Sequence, residues 1–453
     1  MGQTLISGGR VIDPANGLDA VTDVLIADGV IKAVNPSIPA ESLDGEVQVI
    51  RADGMVVCPG FIDIHTHLRE PGFEYKETIA TGAAAAVRGG FTTICAMPNT
   101  EPSIDNGAMV DYVLSRGATT PARVKVIGCV SKDRAGHELA DMEELIDAGV
   151  VAFSDDGDPV YDAGLMRLAL TYSRGLGAPI TNHCQEHALC CGGVMAEGWV
   201  SSRLGLAGIP AVAEEAMVAR DIGLAELTGG RLHLAHLSSA GSVAMVRQAK
   251  ARGLLVTAEV CPHHLLLTDQ WALGLQCSPS VSAGPAAYDT HTKVYPPLRG
   301  DLDVAACIAG LADGTIDCVA TDHAPHDRVS KECTYQDAAF GISVLETALG
   351  TVLATVHDGS ISLSDMVERM TTGPARVLGD GFAKYAGLTP GTPADIVVFD
   401  PNALWTVDVN DFASMGRNTP LNGVELRGRV AATLVGGRVV FEEPGMLNTG
   451  GEL

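Results

Sequence analysis

The chain has 453 residues, 46% of them hydrophobic but only 4% aromatic, with 52 glycines and 23 prolines. This composition excludes a disordered or fibrous protein and supplies the aliphatic bulk that parallel strands bury beneath helices. Thirty basic residues against 55 acidic ones leave a net charge of −25, which repels phosphate backbones and anionic lipid and argues against nucleic-acid or membrane partners. No run of about 18 apolar residues is present to span a bilayer. The start MGQTLISGGRVID lacks the cationic stretch and apolar core of a secretory signal. Eleven scattered cysteines without a CxxC pair read as reduced core thiols, so a soluble, cytoplasmic protein is expected.

The first 57 residues break into short β-like pieces: Thr4–Ser7, Val11–Ile12, Val24–Ala27, Val30–Val34 and Val47–Arg51. Gly8-Gly9 and Asp28-Gly29 punctuate them as turns. From Cys58 to Arg376, apolar runs alternate with helical stretches. The predicted strands are Phe61–His67, Phe91–Met97, Arg123–Val130, Val150–Ser154, Pro179–Cys184, Arg231–Leu237, Leu254–Val260 and Cys318–Asp322. The helical patterns include Ile79–Arg88, Met109–Arg116, Gly164–Ser173, Val212–Leu227 and Ser242–Arg252. Eight such alternations predict an α/β fold of the (β/α)8 TIM-barrel class over residues 58–376. The doubly wound alternative lacks an early GxGxxG. The stretch Gln270–Pro297 is rich in Ser, Gly and Pro and is expected to be an active-site loop. The C-terminal strand candidates are Asp395–Phe399, Leu404–Val407, Arg429–Val435 and Arg438–Phe441. Either end alone has too few strands for a core, so 1–57 and 377–453 are expected to form one composite domain.

In a barrel of this class, chemistry sits at the C-terminal ends of the strands. The first strand ends in Asp63-Ile64-His65-Thr66-His67, and two His at i and i+2 project from one strand face towards a common metal. Asp156 ends the fourth strand, His183 the fifth, His236 the sixth and Asp322 the eighth. A single His or Asp at a strand end is more often packed or capping; this many in register point to a site for zinc or a related divalent ion. His233, three residues before His236, is expected to face the helix layer, and His263 and His264 either line the pocket or are structural. Lys76 is expected to pair with an acid, and the cysteines to be core residues.

The run Pro59-Gly60-Phe61-Ile62-Asp63-Ile64-His65-Thr66-His67-Leu68-Arg69-Glu70-Pro71-Gly72 closely resembles the signature of the dihydroorotases, which are cyclic amidohydrolases. So do Met97-Pro98-Asn99-Thr100, Phe153-Ser154-Asp155-Asp156-Gly157, Ala320-Thr321-Asp322-His323-Ala324-Pro325-His326 and Phe340-Gly341-Ile342. The resemblance implies that the β-rich ends form a small composite β-sandwich. It implies His65 and His67 on one zinc, His183 and His236 on a second, and Asp156 bridging them in the manner of the bacterial branch that has aspartate in place of a carboxylated lysine. Asp322 would ligate the first zinc and act as acid/base. Arg69, Asn99 and His326 would hold the substrate carboxylate, with Phe340 and Gly341 closing on the ring.

The implied reaction is reversible cyclisation of N-carbamoyl-L-aspartate to L-dihydroorotate in pyrimidine (UMP) biosynthesis, with zinc-bound hydroxide attacking in the hydrolytic direction. One or two zinc ions per subunit are expected, two being favoured. A homo-oligomer and association with aspartate transcarbamoylase are further expectations of the resemblance. One position departs from the family pattern: Tyr295 stands where Asn usually precedes Pro296-Pro297, and Ser278–Ala287 resembles an insertion. A tyrosine offers one hydrogen-bond donor in place of an amide's donor–acceptor pair, so the departure bears on specificity. The alternatives are a hydantoinase, dihydropyrimidinase or allantoinase, which generally use the carboxylated lysine, or a silent scaffold subunit, which typically loses metal ligands.

Overall fold

The computed structural model describes residues 2–43, 45–274 and 286–449. Most of Ser278–Ala287 and part of Gln270–Pro297 therefore lie outside the described residues. Eight strands, Phe61–Thr66, Phe91–Ala96, Arg123–Gly128, Val150–Phe153, Ile180–Asn182, Leu232–Leu234, Val256–Val260 and Cys318–Val319, form one sheet in chain order. Each neighbouring pair is parallel. The first and last strands meet through a bridge between Thr66 and His323, where the His67 N–H donates to the His323 carbonyl at 2.9 Å. This closes the barrel. The strands are near-continuous apolar runs because both faces are covered, by the barrel interior and by helices.

Several helices begin where a polar side chain satisfies their free N–H groups. Ile79–Arg88 is capped by a Thr78–Thr81 box, and Asp162 and Ser239 cap Ala163–Leu176 and Ala240–Ala251. All five predicted helical stretches are helices, with ends shifted by a few residues. Among the described residues no helix is long and apolar enough to cross a membrane.

The strands from the two chain ends mix. Val56–Pro59, which leads into the barrel, pairs antiparallel with Ile396–Phe399 and parallel with Arg10–Val11. A six-stranded and a five-stranded sheet result, with Ile6, Val24, Ile31, Val57, Ile396 and Leu434 packed in a core separate from that of the barrel. Asp395–Phe399 and Leu404–Val407, expected as two strands, are one strand, Ile396–Thr406, that bulges between Asp400 and Leu404. Phe61 touches Phe91 of the barrel at 5.7 Å and Phe399 of this sheet at 6.2 Å, so the barrel core extends onto the face of this sheet through an aromatic joint.

Three expectations need correction. Cys191 and Cys333 are exposed rather than buried in the core, because both stand in turns after short helices. The Lys76 ammonium has no acid partner within ion-pair range among the described residues and lies over the Phe73 and Tyr75 rings, 5.2 and 5.5 Å from their centroids. His233 does not face the helix layer: it is fully buried and its Nε2 is 3.0 Å from Glu259 in the barrel interior. The parity argument fails because the strand ends at Leu234 and His236 adopts a left-handed φ of 32°, which breaks the alternation.

A buried lysine joins two loops above the barrel. Lys331 donates to the carbonyls of Thr290 (3.1 Å), Lys293 (3.1 Å) and Ala339 (2.7 Å), tying the segment that carries Tyr295 to the one that carries Phe340. Burial, helped by the nearby Lys293 charge, brings its pKa from 10.5 down to about 7. Between those two values the unfolded chain holds a proton that the folded chain lacks, so folding gains stability as pH rises. Relative to Lys331→Met, the wild type should gain stability across this window, by at most about 1.4 kcal/mol per pH unit. Urea unfolding of both proteins at several pH values measures it; a constant difference would refute the assignment.

Candidate metal centre and active site

His65 and His67 leave the first barrel strand on the same face, and the fourth, fifth, sixth and eighth strand ends bring Asp156, His183, His236 and Asp322 to meet them. All six side chains are buried. The Asp156 Oδ2 lies 3.3 Å from His65 Nε2 and 3.4 Å from His67 Nε2. The Asp156 Oδ1 lies 3.4 Å from His236 Nε2 and 3.6 Å from His183 Nδ1. Asp322 Oδ1 is 2.9 Å from His67 Nε2 and 3.5 Å from His65 Nε2. One carboxylate thus divides its oxygens between two histidine pairs, and the second carboxylate serves only the first pair.

These separations test whether the residues fit a metal. Nitrogen and oxygen ligands about 2.0–2.1 Å from a tetrahedral zinc ion stand roughly 3.3 Å from one another, close to the spacing found here. His65 Nε2 and Asp156 Oδ1 are buried without a hydrogen-bond partner among the described residues, as lone pairs reserved for a cation are. His65, His67 and Asp322 form one potential ligand group, and His65, Asp156 and His236 another. The residues fit a divalent ion in the first position, and Asp156 with His183 and His236 fits a second. Electrostatics agree. Burial raises the Asp156 pKa, but the surrounding His65, His183 and His236 outweigh it and hold the carboxyl far below its usual range. Asp322, likewise buried, is brought down to about 2 by its bond to His67 and the charge of His65.

The ligands are oriented from behind. His65 Nδ1 is 2.6 Å from Glu259 Oε1, and the other Glu259 oxygen is held by His233 Nε2 at 3.0 Å. A carboxylate on the far nitrogen fixes the tautomer that leaves Nε2 free for metal. His67 Nδ1 donates in the same way to Asn99 Oδ1 at 2.8 Å, so the amide oxygen of Asn99 is engaged and its NH2 remains for the cleft.

Every predicted site residue except His65 lines a single cleft of about 260 Å³; His65 lies beneath it, fully buried. Arg69, Asn99, Tyr295, His326, Phe340 and Gly341 stand around the metal ligands. Arg69 Nε donates to the Pro325 carbonyl at 3.2 Å, and no described carboxylate lies within ion-pair range of its guanidinium. Burial lowers its pKa only to about 10, so it stays charged. His326 Nε2 donates to the Phe340 carbonyl at 2.8 Å, leaving Nδ1 without a partner. Burial and the Arg69 charge push His326 down to about 2, so it is neutral. The Tyr295 ring stacks on His183 at 5.0 Å and meets Phe340 at 4.8 Å, while its hydroxyl donates to Cys190 Sγ at 3.7 Å. Its one donor is thus spent away from Arg69 and Asn99.

Gly341 has φ +140° and a Cβ there would sit 2.8 Å from the Ala324 carbonyl, so no other residue fits this close approach. Sequence reasoning missed two residues. Glu259 carried a signal, a lone acid inside the apolar strand Val256–Val260. Asn418 carried none: it lies far along the chain, yet its amide accepts from the His326 N–H and donates to the Ala324 and Gly341 carbonyls.

Glu259→Gln should keep the fold but weaken metal binding by roughly 10- to 100-fold, read as metal retained after dialysis against graded chelator. Unchanged retention would remove Glu259 from the site.

A family model described as Dihydro-orotase-like matches residues 54–242. The chain is 50% identical to a dihydroorotase of Pelotomaculum thermopropionicum over 97% of its own length and 98% of the relative's. It is 50% identical to one of Anaeromyxobacter dehalogenans (97% and 98%) and 46% identical to one of Syntrophus aciditrophicus (97% and 99%). Among solved structures, an L-hydantoinase (dihydropyrimidinase) from Arthrobacter aurescens superposes with a TM-score of 0.84 at 24% identity, covering 98% of this chain and 96% of that one, which is a likeness of fold. Near-complete alignment at half identity, over a barrel whose strand ends gather the ligand set described above, places this chain in the dihydroorotase family.

Proposed function

We propose that this protein is a metal-dependent dihydroorotase that interconverts N-carbamoyl-L-aspartate and L-dihydroorotate in pyrimidine synthesis. The observation that carries the reading is Arg69: a buried guanidinium without an acidic partner among the described residues, in the same cleft as the proposed metal ligands. Such a charge is costly unless a ligand anion completes it, and its planar fork suits a carboxylate. The relatives named dihydroorotase support the same substrate. We assign the metal as zinc, two ions per subunit with Asp156 as the bridge. Homo-oligomerisation, association with aspartate transcarbamoylase and a cytoplasmic location belong to the same proposal.

Bound divalent ions would polarise the ring amide carbonyl and make a water acidic enough to attack it at neutral pH. The chain's own groups do the rest. Arg69 and the Asn99 NH2 bind the substrate carboxylate and fix the ring over the ligand cluster, while neutral His326, its N–H spent on the Phe340 carbonyl, offers its Nδ1 lone pair to a substrate N–H. Asp322 is ionised at neutral pH and accepts a proton at its carboxylate from the attacking water. It then donates that proton to the departing ring nitrogen, and in the cyclising direction the transfers reverse. The Tyr295 and Phe340 rings wall the cleft on the side of His183 and limit water around the ring.

Purified, zinc-reconstituted protein should open L-dihydroorotate in preference to dihydrouracil, hydantoin and allantoin. Preference for a ring without a carboxylate would overturn the substrate assignment. Asp322→Asn should keep its circular-dichroism spectrum and lose turnover by roughly 10²- to 10⁴-fold; near-normal turnover would remove Asp322 as the acid/base.

A further inference from the structure

Behind the cleft, the seventh barrel strand ends at Val260 and runs into Cys261-Pro262-His263-His264. The Cys261, His263 and His264 side chains are not in the ligand cluster described above, but they form a group of their own: one ligand atom of each lies within 4.8 Å of the others. Cys261 is fully buried, and His263 and His264 are 2% and 3% exposed. Among the described residues neither nitrogen of His263 has a hydrogen-bond partner, and neither does Nδ1 of His264. Three unpartnered imidazole nitrogens at that depth are a cost that native interiors rarely carry without a ligand.

The tautomer is arranged for coordination. His264 Nε2 donates to the Pro296 carbonyl at 3.1 Å, which leaves the lone pair on Nδ1. Metal-binding histidines characteristically use their second nitrogen in this way. The rings lie 4.4 Å apart and are tilted by 55°, so they are not stacked flat against each other. Burial depresses the pKa of both, that of His264 to about 4, so both imidazoles are neutral and available as ligands at physiological pH. A thiolate and two imidazoles are the donor set of zinc-class ions.

We propose that Cys261, His263 and His264 form a separate, structural site for a zinc-class ion, and that this ion braces the wall of the cleft. The link is short: His264 holds the carbonyl of Pro296, and the preceding Tyr295 packs on His183. Binding releases the Cys261 thiol proton to solvent and forms the metal–sulfur bond without any change of oxidation state. The site is independent of the reaction assigned above, since none of its residues lines the cleft.

Cobalt(II) titration of the metal-stripped full-length protein separates the two centres, because the cleft ligand set contains no sulfur. A thiolate-to-cobalt charge-transfer band in the near ultraviolet, saturating at one equivalent per chain, is expected in the wild type. It should persist in Cys184→Ala and Cys190→Ala, the other thiols near the cleft. It should vanish in Cys261→Ser and in His263→Asn, each with one equivalent less bound metal and a native circular-dichroism spectrum. Should one variant fail to fold, the other decides. Absence of the band in the wild type, its survival in Cys261→Ser or His263→Asn, or its loss in Cys184→Ala or Cys190→Ala would overturn the site. Loss of dihydroorotate turnover with the band intact would bear only on the cleft.

Discussion

A buried carboxylate shared by two histidine pairs is the constraint around which the rest of this molecule is arranged. Asp156 has about 2% exposure and faces imidazoles on both of its oxygens. Burying such a charge in a medium of low dielectric costs several kcal/mol unless opposite charge is supplied in close order. Asp322 and Glu259 add two more negative charges within the same layer. The cluster is therefore a socket whose natural complement is cationic, and the closed barrel supplies the rigidity that keeps five strand ends in register around it.

Much of this architecture was legible in the chain. The eight strands stood out because both faces of each are covered, so they read as apolar runs bounded by turns. The ligands stood out because titratable side chains at the ends of such runs have little structural reason to be there. What stayed hidden has physical causes. The orientation of His233 could not be read because alternation holds only while the backbone remains extended, and it does not at His236. Asn418 acts through contacts distant in sequence and uses a residue type common in any turn. The two imidazoles after the seventh strand, which keep three ring nitrogens without a partner among the described residues, look in sequence like any buried pair.

Three of the site's side chains, Arg69, His236 and Asp322, stand on left-handed backbone, with φ of 63°, 32° and 47°. Such conformations cost about 1–3 kcal/mol each for residues other than glycine and persist only where the surroundings over-determine them. Here each turns the chain sharply just past a barrel strand, so that a side chain which would otherwise run on along the loop is aimed back over the mouth. Stability is exchanged for aim at the positions where charge is handled.

The Asn418 bonds carry a consequence for the order in which the molecule comes into being. The candidate metal ligands are complete once the ribosome has passed Asp322, but the turn that carries His326 and Gly341 is stapled by an amide translated almost a hundred residues later. The strand Val56–Pro59 likewise waits for Ile396–Phe399 before its edge is covered. A nascent chain that had already closed its barrel would hold the ligand cluster without a finished substrate pocket. The turns that line this part of the cleft thus gain their long-range hydrogen bonds last, with the C-terminal segment, and contacts of such sequence separation pay their loop-closure entropy before they reward it.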